Sequence, residues 1–324
     1  MTRIVANPIA GALSAMVLVA LVVAATTNHF LDQGNLSNLA LQVSIVAIVA
    51  IGSTIVILTG GIDLSPGSAI ALMTMVFAIL AKNWALSLPL AIVVVVVLGL
   101  VLGLVNGVLT AYLRIPSFIT TLATLSAFRG LAFMFNNGSP IFSVSPDIEA
   151  LFYGTLGGIP LPLFYVVALY ALAYWFLRYT ALGRAMYAVG GNPSAARLSG
   201  IDVRMTQLAA FLLAGVATAI GAVLMTARLN SGSPNYGVGM ELSAIAAAVI
   251  GGASLAGGRG HIVNTLIGAM TIVIVQNALN LNAVPTSAQN VIIGAIIVLA
   301  VGIDMWRNEI DATMQKLIGR KPNT

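Results

Sequence analysis

The sequence predicts an all-α membrane protein, a polytopic bundle of about ten transmembrane helices with both termini in the cytoplasm. Three observations carry that prediction. Of 324 residues, 59% are hydrophobic and only 7% charged, whereas a soluble domain uses about 25% charged residues to cover its wet surface. The mean hydropathy is +1.03. The apolar residues also fall into runs near the roughly 20 residues that cross a bilayer, with Arg and Lys gathered in alternate breaks.

The first run, 7–27, follows Arg3 and reads as a retained span, because no small-residue cleavage site follows it. The next runs are 37–58, 68–81, 88–112 and 117–135. A longer external stretch, 136–160, has room for one short surface helix near 147–152. Then come 161–178, 205–227, 241–256, 262–282 and 287–305. The third and eighth runs are short for a full crossing and suit re-entrant or broken helices sheltered in the bundle. If both re-enter, the count falls to eight and the termini still share a side.

Placing the N-terminus inside puts eleven of the fourteen basic residues at cytoplasmic ends and loops. They are Arg3, Arg114, Arg178, Arg184, Arg197, Arg204, Arg259, Arg307, Lys316, Arg320 and Lys321; Lys82, Arg129 and Arg228 remain. The pI near 9.7 is therefore a topology signal, not a nucleic-acid footprint. Residues 1–306 form a single membrane domain with a cytoplasmic loop at 179–204, and 307–324 a short cytoplasmic tail.

Several chemistries are excluded. There are no cysteines, hence no disulfide, thiolate metal site or Cys nucleophile. His29 and His261 lack a second His at ligand spacing, so no metal is expected. The three lysines follow Ala81, Gln315 and Arg320, and none completes the Gly-Lys-Ser/Thr of a phosphate-binding loop. A nucleophile elbow is approached around Ser254 but lacks its last glycine and a placed base. Of the acids, Asp32, Asp147 and Glu149 fall outside, while Asp202, Asp304, Glu309 and Asp311 fall near the cytoplasm. Only Asp63 and Glu241 sit at span edges where they can enter the interior, and Glu241 reads equally as an acidic helix start. Arg129, within an apolar run, must pair, snorkel or face a wet cavity.

Two glycine-rich loops share a pattern of Gly-Gly, then Leu, then Gly. They are "GGIDLSPGS", with Gly60, Gly61 and Asp63, and "GGASLAGGRG", with Gly251, Gly252, Gly257 and Gly258. Both are read as tight cytoplasmic turns where packed helices meet, the glycines permitting positive φ and close approach. Gly99, Gly103 and Gly107 allow close helix packing. Asn106, Gln276, Asn277 and Asn280 are expensive facing lipid. They either bridge helices or line a path for a neutral hydroxylated solute.

The stretch "GGNPSAARLSGIDVR" is polar and basic, with the punctuation of a two-turn helix over 192–200. Asn192 caps it, Pro193 suits its first position and Gly200 its left-handed end. So short a helix is marginal in water and gains stability by docking, on a partner protein or on lipid headgroups. Ala195, Ala196 and Leu198 would form the docking face, with charge from Arg197 and Arg204.

Over nearly its whole length the chain resembles the permease subunits of bacterial ABC importers of the ribose and simple-sugar class, within the branched-chain-type inner-membrane permeases. The resemblance rests on "NLSNLALQVSIVAIVAIGSTIVILTGGIDLSPGS", "TALGRAMYAVGGNPSAARLSGIDV" and "AAVIGGASLAGGRGHIVNTLIGAM" in that order. Pro66 stands where the family usually has valine. The resemblance implies import of a monosaccharide across the inner membrane by alternating access. Two permease chains, identical or different, would work with two cytoplasmic ATPases that hold ATP and Mg. A periplasmic sugar-binding protein would deliver the cargo. This chain would have no cofactor and no enzymatic activity of its own. The ATPase-coupling role would fall on Gly183, Arg184, Asn192, Pro193, Ala195, Ala196, Arg197 and Gly200. Related permeases for autoinducer-2, nucleosides or branched-chain amino acids share these features. An ion-coupled transporter would need Asp63, Glu241 or Arg129.

Overall fold

The computed structural model describes residues 8–299 and residue 302. Arg3, Asp304, Arg307, Glu309, Asp311, Lys316, Arg320, Lys321 and the tail 307–324 lie outside the described residues. In chain order the helices are α1 (Pro8–Thr26), α2 (Gln33–Leu58), α3 (Pro66–Ala78, prolonged by a π turn, Ile79–Asn83), α4 (Leu88–Ala111) and α5 (Ser117–Met134). Then follow α6 (Ala150–Tyr153), α7 (Leu161–Tyr179), α8 (Ala181–Gly191), α9 (Pro193–Leu198), α10 (Val203–Leu229), α11 (Met240–Ile250), α12 (Ile262–Leu281) and α13 (Thr286–Leu299). Among the described residues strand is confined to two-residue pairs. Ile141–Phe142 lies antiparallel to Ser231–Gly232, and Thr155–Leu156 to Ile159–Pro160.

Eight of the described helices are long and apolar enough to cross a membrane. The third run is not short after all: it extends over Pro66–Asn83. Lys82, which seemed to end it, rides in the π turn and donates from Nζ to the Phe142 carbonyl at 2.5 Å. The eighth run is short. Its helix stops at Ile250, and the chain turns at Gly252, whose φ is +86°. The shortness of α13 coincides with the edge of the described residues.

α2 is the buried axis, with every residue from Val43 to Leu58 enclosed. α10 crosses it and α4, and α1 lies on the periphery against α12. Without a hydrophobic drive between helices in lipid, such crossings depend on close van der Waals contact. The row Gly99, Gly103, Gly107 supplies it. A Cβ at Gly99 would overlap the Gly215 backbone, and one at Gly103 the Phe211 carbonyl. At Gly52 the Ala214 Cα lies 2.8 Å from where a Cβ would stand.

α3 and α11 both begin inside the bundle, fed by non-helical segments from opposite ends. Residues 61–65 lead in from the end of α2, and 231–239 from the end of α10. The two starts meet where the Gly67 backbone touches that of Gly237 and the Glu241 carboxylate. Irregular backbone at membrane depth is tolerated only when protein shelters it.

Candidate coupling site and its intramembrane connection

The loop 179–204 folds into two helices. α8 occupies residues that the sequence reading assigns to loop between the sixth span and α9; Thr180 caps it, its Oγ1 accepting from the Gly183 N–H at 3.0 Å. Gly183 is buried where a Cβ would overlap the Phe176 carbonyl, so it shapes the α7–α8 corner and presents no side chain. Arg184 is exposed and donates to the Tyr179 carbonyl at 3.2 Å.

α9 forms as its punctuation requires. The Asn192 side chain accepts from the Ser194 and Ala195 amides, both at 3.0 Å. Pro193 opens the helix, and Gly200 follows it with φ +83°. The expected docking face is divided, however. Ala196 is 4% exposed and packs on Val189, Val203 and Ile201 of its own chain. Ala195 and Arg197 face out, and Leu198 is 91% exposed. The helix therefore already rests on one anchor and offers the other side to a partner.

Beneath it, three glycine turns interlock. Both loops recognised in the sequence meet here with a third pair, Gly190–Gly191, that pattern matching missed. The Gly258 amide donates to the Leu58 carbonyl at 3.0 Å. A Cβ at Gly190 would overlap that same carbonyl, and one at Gly257 would lie 2.8 Å from the Gly190 oxygen and 2.9 Å from the Gly60 Cα. Gly60, Gly257 and Gly258 all take positive φ. Gly61 abuts Val56, and Gly251 packs on the Asn264–Thr265 backbone of α12. The Tyr187 hydroxyl of α8 donates to the Gly260 carbonyl at 3.2 Å, and burial raises its pKa. His261, just before α12, lies beside the Tyr174 ring. Burial and the nearby Arg178 hold its imidazole below the ordinary pKa. The signal for the third turn was its own Gly-Gly pair, the same pair that opens both loops it meets.

From this junction a polar chain runs inward. The Ile62 amide donates to Ser117 Oγ at 3.0 Å, and Thr121 donates to the Ile62 carbonyl at 3.1 Å. Asp63, 6% exposed, accepts through Oδ1 from the Ser65 amide and hydroxyl at 2.9 and 2.7 Å. Asn106 donates to Ser65 Oγ at 2.8 Å and accepts from Thr124 at 2.7 Å. The segment entering α3 is thus stapled to α4 and α5. On the other entry, Arg129 donates to the Pro234 and Tyr236 carbonyls at 2.6 and 2.7 Å. Glu241 starts α11 with Oε2 enclosed and unbonded among the described residues.

The remaining amides bridge helices. Asn277 and Asn35 exchange hydrogen bonds at 2.8 and 2.9 Å, linking α12 to the start of α2. Gln276 donates to Ser243 at 3.1 Å, and Asn280 accepts from Gln289 at 2.9 Å. Bridging was one of the two readings left open by the sequence, and these bonds fill it. No group of three or more His, Asp or Glu suited to a metal occurs among the described residues.

A helical bundle with broken inner helices, tied to a capped loop helix at one end, defines a polytopic membrane transport protein. Residues 35–301 match the family described as "Branched-chain amino acid transport system / permease component", and the chain belongs to that permease family. It is 39% identical over 293 residues to the ribose import permease protein of Escherichia coli, covering 89% of this chain and 91% of the relative. The corresponding Bacillus subtilis protein is 41% identical over 289 residues, covering 89% of each. The D-allose transport system permease protein of Escherichia coli is 36% identical over 289 residues, covering 89% of this chain and 88% of the relative. No solved structure matches the chain. Family and spans together make it a transport subunit and a multi-pass inner-membrane protein.

Proposed function

We propose that this chain is the permease subunit of an ATP-driven importer that carries a monosaccharide from periplasm to cytoplasm by alternating access. The cargo is a ribose-like pentose, a hexose or a polyol. The observation that carries this reading is the identity of 36–41% with ribose and allose permeases across nearly nine-tenths of the chain. Energy comes from a separate cytoplasmic ATPase that binds ATP and Mg, and a periplasmic sugar-binding protein delivers the cargo. A second permease chain completes the pathway. The described residues act as one membrane domain whose coupling loop, 179–204, meets the ATPase through the outward side of α9, at Ala195, Arg197 and Leu198. Arg184, Asn192, Pro193 and Gly200 hold that surface in shape.

The mechanism follows from the connections already described. An ATPase with different contacts to α9 in its two nucleotide states shifts the permease between two openings, since equal contacts would shift nothing. Displacement of α8 moves the glycine junction, and with it the ends of α2, α11 and α12. Ser117, Asp63 and Asn106 pass the shift to the start of α3. The pathway runs along the face where α3 and α11 begin, beside half-buried Arg129 and Glu241 and the exposed Val238 and Leu242.

The test is reconstitution in vesicles with the cognate binding protein and ATPase and a panel of labelled pentoses, hexoses and polyols. ATP-dependent accumulation of one of these sugars is expected. Transport of a nucleoside, autoinducer-2 or a branched-chain amino acid in place of every sugar would overturn the substrate assignment.

A further inference from the structure

Three arginines from separate segments converge on one cavity at the cytoplasmic end. Arg114 comes from the α4–α5 turn, Arg197 from α9 and Arg204 from the first turn of α10. The cavity has a volume of about 440 Å³, with Ser117, Gln207 and the Gly60–Gly61 turn among its walls. All three arginines are exposed, and among the described residues none has an ion pair or a side-chain hydrogen bond. Asp202 lines an adjoining hollow with the same three arginines but forms no ion pair with them among the described residues. Its Oδ1 caps α10, accepting from the Arg204 and Met205 amides at 2.9 and 3.1 Å. Three like charges beside a single carboxylate leave an excess of positive charge, and guanidinium groups bind carboxylates strongly through paired N–H donors.

We infer that this cavity receives an acidic side chain of the ATPase subunit, forming a second contact beside the apolar tip of α9, with Arg197 shared between the two. The inference rests on the docking at α9 proposed above. A carboxylate of the ATPase is favoured over a lipid phosphate because the three arginines also line a hollow with Ile201 and Asp202 of the α9–α10 turn, part of the loop that meets the ATPase. Thr59, Thr110 and Ser117 line the cavity beside Ile115, Val203 and Phe211. The position matters mechanically. Ser117 lines the cavity and also accepts from the Ile62 amide, so a carboxylate drawn in here touches the segment that leads to Asp63 and α3. The apolar tip would seat the ATPase, while the arginine cavity would pull on the re-entrant segment.

The test uses the permease–ATPase complex in phosphatidylglycerol vesicles, whose lipid has no carboxylate. Arg114→Lys, Arg197→Lys and Arg204→Lys are each treated with a zero-length amine–carboxyl coupling reagent. Adducts are mapped by mass spectrometry to the substituted position. The cavity positions are expected to join Asp or Glu of the ATPase, and Arg228→Lys, at the opposite end, to give no adduct. Replacing all three arginines by Gln is expected to weaken ATPase binding roughly tenfold or more. A photo-crosslinker on Leu198→Cys reports the docking of α9 separately. If Leu198→Cys labels the ATPase but no cavity lysine couples, this inference is overturned and the function stands. If neither reacts in an assembled complex, docking at α9 fails and the inference with it. If no lysine couples, and the three-Gln variant loses a stabilisation that phosphatidylglycerol gives over a neutral lipid, the cavity holds a lipid headgroup and the inference is overturned.

Discussion

Gly190→Ala adds one methyl group at the point where the coupling loop meets the membrane helices. The new Cβ overlaps the Leu58 carbonyl oxygen and lies 2.5 Å from the Gly258 nitrogen and 2.9 Å from the Leu58 carbonyl carbon. These neighbours are backbone, so no rotamer change relieves the clash. Overpacking of this kind costs about 1–3 kcal/mol. Loss of the enclosed Gly258–Leu58 hydrogen bond adds about 1–3 kcal/mol. The cheapest relief is for α8 to lift off the junction, so coupling fails along with stability. Gly191→Ala is the matched control, because a Cβ there meets nothing within 4 Å. Thermal unfolding of the purified permease, followed by tryptophan fluorescence, is expected to show Gly190→Ala melting about 5 °C or more below Gly191→Ala. In vesicles, ATP-driven uptake is expected to drop at least tenfold for Gly190→Ala and to persist for Gly191→Ala. Equal melting and equal transport in the two variants would refute the interlocked junction.

The two alanines of α9 are expected to respond differently. Ala195→Glu leaves the melting temperature unchanged and uncouples ATP hydrolysis from uptake, whereas Ala196→Phe overfills the contact with Val189 and Val203 and lowers the melting temperature. Coupled uptake and ATPase assays beside melting curves separate the two. Breaking the Asn35–Asn277 pair by either single Asn→Leu change strands one amide and costs about 1–2 kcal/mol. The double Asn→Leu variant is expected to recover most of that in the same melting assay. His261, with its imidazole held below the ordinary pKa of 6.5 by burial and the nearby Arg178, takes up a proton less readily in the folded chain than in the unfolded one. Its contribution is thus neutral above about pH 6.5 and increasingly destabilising as pH falls below that value. His261→Gln is expected to flatten the acid side of a plot of melting temperature against pH.

The spans were legible because lipid demands long apolar runs, and α9 because Asn192, Pro193 and Gly200 satisfy needs within one short segment. The packing row Gly99, Gly103, Gly107 was legible for a similar reason, its spacing matching one helix face. The intramembrane connections were not. Residues 61–65 and 231–239 are satisfied by Ser117, Asn106 and Arg129, which stand far away in the chain. Local patterning carries no trace of such pairing. Ala196 was placed with Ala195 because both are small. Only the approach of Val189 and Val203 decides which one faces the protein. Likewise Gly183 looked like part of a contact surface, and its role is to admit the Phe176 carbonyl.

The central claim is that this chain conducts sugar only when a nucleotide-hydrolysing partner moves it through α8 and α9. The most direct measurement is uptake of labelled ribose by vesicles containing the permease and loaded binding protein, with the ATPase present, absent, or present but unable to hydrolyse ATP. The account requires accumulation in the first case alone, and its loss when Gly190→Ala replaces the native chain. Accumulation without the ATPase, driven by an ion gradient, would contradict it.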